Sequence, residues 1–185
     1  MIPYHHMMAH FPIALLSLAF FVILLRSLTS NALVRRVDST VLIYVLAAGV
    51  AGGLGALATG LMIWPTEAAV AGPMARNKIL MATWTIVIWS VVLVLRWRMG
   101  ENVWNGTGRY LMLVLGTTGI ILASITGTLG GHLLGSPSAL SAVLNQLGWN
   151  VYQTYFVPNW VLLLMFAVGL AGVVAGLGSG RKTAV

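Results

Sequence analysis

The chain contains no cysteine, which excludes disulfides, thiolate metal sites, iron–sulfur clusters and the CxxCH attachment of c-type haem. Acid is nearly as scarce. The only acidic residues are Asp38, Glu67 and Glu101, and all three read as loop positions, so neither a carboxylate pair for hydrolysis nor an intramembrane acid for proton pumping is expected. GxSxG, HExxH and phosphate-cradling glycine loops are also missing, which removes the usual grounds for acyl or phosphoryl transfer. Charged residues of both signs make up only 7% of the 185 residues, whereas a soluble domain carries about a quarter.

In their place stand apolar residues, 59% of the chain, with seven Trp, five Tyr and 21 Gly. That composition belongs to a membrane protein, in which aromatic rings favour the headgroup level and glycine lets helices approach closely. A spanning helix needs about 20 mostly apolar residues. Five segments qualify, at about 8–29, 39–63, 79–100, 110–134 and 156–178, and nothing is left over for a soluble domain. Short connections predict an all-α, up-and-down bundle occupying 1–185 as one membrane domain, a four-helix core plus one. Trp64, Trp104, Trp149, Trp160, Tyr152 and Tyr155 read as interfacial belt anchors.

The net charge of +7 is not a nucleic-acid footprint, because the basic residues sit in short connections rather than on one face. Arg26, Arg35 and Arg36 flank the first connection, Arg96, Arg98 and Arg109 the third, and Arg181 and Lys182 end the chain. The other side holds Arg76 and Lys78. Positive-inside logic then puts the N-terminus outside and the C-terminus in the cytoplasm of a bacterial inner membrane. The first apolar run lacks a signal-peptide n-region and cleavage site, so it reads as a retained helix. After the fourth segment, GSPSALSAVLNQLGW carries Leu140, Val143, Leu144 and Leu147 at helical spacing. An interfacial helix over about 137–148 is expected, capped by Ser136 with Pro137 at its first position. ALATG at 56–60 also matches ASITG at 123–127, which suggests a duplicated helical hairpin.

All four histidines fall on the outer side of this layout: His5, His6 and His10 in MIPYHHMMAHFPIALL, and His132 in TGTLGGHLLG. Charge counting and segment lengths place them there without reference to histidine. Neutral imidazole is the commonest biological metal ligand, and facing helices of a bundle commonly hold cofactors between them. One b-type haem with two axial imidazoles needs no cysteine. His10 with His132 is the expected pair, followed by His6 and then His5; at about 1.5 Å per residue, His5 or His6 matches the depth of His132 better, but His10 is embedded in apolar sequence. Gly130 and Gly131 would clear a porphyrin face and break the fourth helix, and Arg76 and Lys78 would pair with propionates.

The residues HFPIALL, with His5 five positions before His10, and the later Gly-Gly motif resemble the bacterial transmembrane domain-of-unknown-function family 2231 over about residues 5–135. Its members typically start His-Pro-x-x-x-His-Phe-Pro. Here His6 replaces the proline, and GSPSAL replaces the tail after Gly-Gly. The resemblance implies a four-helix membrane core. The expected function is that of a b-type cytochrome-like subunit, an electron carrier more than a stand-alone enzyme, between a periplasmic donor and quinone or another membrane carrier, within a larger redox complex. Two alternatives remain open. A copper-binding or copper-transfer protein would use the imidazoles with Met7 and Met8 as thioether ligands, and a structural or assembly subunit would need no cofactor.

Overall fold

A computed structural model describes residues 2–63, 67, 72–148 and a few positions between 163 and 174. The fifth segment lies largely outside the described residues, as do Trp64, Trp149, Tyr152, Tyr155 and Trp160. The described part is helical, without a strand, and four of its helices are long and apolar enough to cross a membrane. They are α1 (Ile2–Leu28); a second run made of α2 (Ala32–Val37), a π-helical turn (Asp38–Leu42) and α3 (Ile43–Ile63); α4 (Pro73–Met99); and α5 (Thr107–Leu133). A short α6 (Ala139–Gln146) follows.

α1 begins six residues before the position that hydropathy indicates, so His5, His6 and His10 all lie on its first turns. The extension is held by packing on α3: the ring of His5 rests on Gly60, and the methyl of Met8 on Gly55. Lower down, Leu16 occupies the space that a side chain at Gly49 would fill. α4 and α5 pair in the same antiparallel way, with Trp89 against Gly119 and Lys78 against Gly130. α3 packs on α4 and α1 on α5, which closes a ring of four helices. Glycine thus sets the helix spacing, since TM helices gain association energy only where backbones approach closely.

Two buried clusters fill the bundle. The larger runs from Leu16, Ala19 and Ile23 through Leu46 to Trp89, Val92, Val103, Trp104 and Met112. The smaller joins Met81, Leu122, Ile125 and Leu129 to Leu144 of α6. α6 therefore turns Leu144 into the bundle and leaves Val143 and Leu147 exposed. It starts later than expected: Ser138, not Ser136, is its N-cap residue, and Ser138 Oγ is 3.1 Å from Thr128 Oγ1 on α5.

The end of the bundle remote from the histidines corrects two expectations. Asp38 is not in a loop but wholly buried in the second run, and Trp104 is not a belt anchor but buried beside it. Arg96 Nε donates to Asp38 Oδ1 at 3.0 Å, and Trp104 Nε1 donates to Oδ2 at 2.7 Å. Arg26 Nε lies 3.5 Å from Asp38 Oδ2, with its guanidinium 5.4 Å from the Trp104 ring centre. Half-exposed Glu101 completes the ring, 2.7 Å from Arg96 Nη2 and 3.6 Å from Arg26 Nη2. Two cations and two anions close on themselves. The connection between α4 and α5 makes this possible, because Gly100 (φ 54°) and Gly106 (φ 53°) bracket a 3-10 turn, Gly100–Trp104, that folds the indole back inward.

Candidate functional site

At the histidine end the four helices part around a cavity of about 420 Å³, within the roughly 300–1,000 Å³ of small-molecule sites. α1 contributes His5, His6 and His10, and α3 contributes Gly53, Ala56 and Gly60. From α4 come Lys78, Ala82 and Thr85, with Trp89 lower in the bundle; α5 offers Ala123, Thr126, Gly127 and Gly130. Among the described residues Lys78 is the one Lys or Arg on the lining, and no acidic side chain reaches it.

Hydrogen bonds orient two of these imidazoles. Thr59 Oγ1 lies 2.9 Å from the carbonyl of Gly55 and 3.1 Å from that of Ala56, both acceptors only, so its single proton is spent on the backbone. With the hydroxyl so directed, Thr59 accepts from His5 Nδ1 at 3.1 Å. That arrangement favours the Nδ1–H tautomer of His5. His10 Nδ1 donates to the His6 carbonyl at 2.6 Å. A ring N–H anchored in this way is also how metal-ligating histidines are commonly oriented. His5 is half-buried and fixed on both sides by Thr59 and Gly60, whereas His10 is exposed at the bundle surface although it reaches the lining.

Not every residue expected at the site is there. His132 is half-buried on the last turn of α5 but does not line the cavity, and neither do Arg76, Met7 or Met8. Met7 is exposed on the surface, and Met8 is taken up by Gly55. Gly130 and Gly131 both line the cavity, yet they do not break α5, which runs on to Leu133. Gly131 has a second role: its carbonyl receives the amides of Leu134 and Ser136 at 3.0 and 2.9 Å, and a Cβ there would come within 2.7 Å of the Ser136 carbonyl. No three His, Asp or Glu side chains converge as a metal site among the described residues, so HHMMAH does not fold into a three-imidazole cage.

Sequence reading missed Thr59, gave little weight to Trp89, and named Lys78, which lines the cavity, as an outer-face cation. The indole of Trp89 is fully buried, and its Nε1–H has no hydrogen-bond partner among the described residues. The signal for Thr59 was present in the ALATG match, which extends further than five residues. Gly49, Gly52, Ala56, Thr59 and Gly60 recur at the same spacing as Gly116, Gly119, Ala123, Thr126 and Gly127. Thr126 repeats the hydroxyl geometry too, donating to the Leu122 carbonyl at 2.8 Å, and Ala56, Ala123, Gly60 and Gly127 all face the cavity.

A family model described as "Predicted membrane protein (DUF2231)" matches residues 1–137. No curated protein and no solved structure matches the chain.

Proposed function

The chain belongs to the DUF2231 family of predicted membrane proteins, whose match takes in every helix around the cavity, and we propose that it is a membrane b-type cytochrome-like subunit that carries electrons. The observation that carries this reading is His5, an imidazole on the wall of the cavity whose Nδ1 is held 3.1 Å from Thr59 Oγ1 of the neighbouring helix. The rest of the lining suits a flat macrocycle with an acidic edge. Glycine and alanine from α3 and α5 leave room beside the imidazole, and Lys78 supplies one positive charge with no competing acid. Haem, when bound, supplies the one-electron chemistry. The chain's own contribution is to fix the imidazole, exclude water with an apolar lining, and hold the acidic edge at Lys78.

In this proposal the histidine end faces the periplasm of a bacterial inner membrane, and the end rich in arginine faces the cytoplasm. Electrons would pass between a periplasmic donor and quinone or another membrane carrier, within a larger redox complex, since the connections between helices are short. His5 rather than the His10–His132 pair is the principal ligand, because it alone is both fixed by a side-chain acceptor and turned to the cavity. A copper site built on HHMMAH is disfavoured by the divergence of Met7 and Met8 from the imidazoles.

The test is the reduced-minus-oxidised optical spectrum of the purified full-length protein, with a pyridine haemochrome assay and metal analysis. A sharp α-band at about one haem per chain, lost in His5→Ala, is the expected result. A colourless protein from a host supplied with haem refutes the proposal, and stoichiometric copper in its place would revive the thioether reading.

A further inference from the structure

Every imidazole that reaches the cavity comes from one helix. His5, His6 and His10 belong to α1, while His132, the only other histidine, is absent from the lining. Across the cavity, α4 and α5 present Ala82, Ala123, Gly127 and Thr126 beside Ile79 and Ile86, and among the described residues the nitrogen-bearing side chains on that wall are Lys78 and the buried Trp89 indole, whose nitrogen is a donor. Lys78 lies high on that wall, its Cε and Nζ each 3.5 Å from where a Gly130 Cβ would stand. The repeat sharpens the asymmetry. Thr59 and Thr126 are equivalent in sequence and in hydroxyl geometry, yet Thr59 receives an imidazole and Thr126 accepts from no side chain among the described residues.

Two histidines of one helix cannot grip opposite faces of one porphyrin, since the ring is broader than an imidazole side chain is long. Resting on the haem reading of the cavity, we infer that the chain ligates haem from the α1 face alone, through His5, and leaves the face toward α4 and α5 open to a small exogenous ligand of the diatomic-gas class. The residues of that wall, among them Ala82, Ile86, Ala123, Thr126 and Gly127, furnish no imidazole to compete with such a ligand. Beyond passing electrons, the subunit binds or senses a gas. This replaces the two-imidazole arrangement expected from sequence.

The experiment uses purified full-length protein with haem quantified by pyridine haemochrome. The dithionite-reduced protein is titrated with carbon monoxide, and the oxidised protein is examined by electron paramagnetic resonance. A carbon monoxide difference spectrum accounting for most of the haem, with a high-spin ferric signal, is expected. His5→Gly should lose both and regain them when free imidazole is added, which separates ligation from folding. Haem that is bound but low-spin and indifferent to carbon monoxide overturns the inference and leaves the haem reading standing. Conversion of such a species to a carbon monoxide binder by Lys78→Met or His132→Ala would identify the residue closing the far face. Absence of haem overturns both readings.

Discussion

Replacing Asp38 by alanine tests the architecture without reference to any cofactor. Asp38 is fully buried, and its two oxygens serve Arg96, Arg26 and Trp104. Truncation strands two guanidinium groups whose side chains are only 8% and 14% exposed, with half-exposed Glu101 as their remaining partner. Removing one member of a buried ion pair costs about 3–5 kcal/mol, because the other charge stays buried and uncompensated. The lost Trp104 bond to a charged acceptor, by itself about 1.5–3 kcal/mol, lies within that range rather than on top of it. On the scaling for soluble chains of this size, the melting temperature should fall by on the order of 10 °C. The assay is thermal unfolding of the purified protein in detergent. Asp38→Asn keeps an acceptor for Trp104 but not the charge, and should fall between wild type and alanine. Glu101→Gln, at an exposed pair member, should cost about 1 kcal/mol or less. Replacing Arg26, Asp38 and Arg96 together by apolar residues should cost less than Asp38→Ala alone, as buried ion networks are often no better than well-packed apolar groups. A melting temperature for Asp38→Ala within about 2 °C of wild type, or a triple variant worse than the single one, would refute the buried ring.

Three further outcomes follow from named contacts. Gly119→Ala places a methyl 2.7 and 2.8 Å from the rigid, buried Trp89 indole, so overpacking should cost about 1–3 kcal/mol in the same assay, whereas Gly127→Ala, with nothing within 4 Å, should leave stability unchanged. Thr59→Val removes the acceptor that fixes His5 and should weaken haem retention about 10–100-fold, measured by haem transfer to apomyoglobin, while Thr59→Ser restores it. Lys78→Met should speed haem loss without abolishing binding, and Lys78→Arg, which keeps the charge, should not.

How much of this was legible in the sequence differs between backbone and site. The four spanning runs were legible because a bilayer demands length and apolar composition, both one-dimensional properties. Their ends were not: α1 starts at Ile2 because His5 and Met8 find glycine seats on α3, and a hydropathy window sees only that imidazoles are polar. Asp38 was misread for the same reason. An acid near a run of basic residues looks like part of a connection, and only the meeting of Arg26, Arg96 and Trp104 from three other segments makes its burial tolerable. Trp104 likewise depends on the two positive-φ glycines that reverse the chain around it.

For the site, position along the helix axis was legible and rotation about it was not. Counting residues put all four histidines at one end, yet His132 sits beside cavity-lining neighbours without itself lining the cavity. One residue on a helix turns a side chain through about a quarter of a turn, so an axial ruler good to one residue still leaves facing undetermined. The repeated threonine carries the missing information. A threonine hydroxyl directed at the carbonyl four residues back leaves its lone pairs for a ring N–H from a neighbouring helix. The first, at Thr59, holds His5. The second, at Thr126, accepts from no side chain among the described residues, so the repeat carries an imidazole in one copy and none in the other.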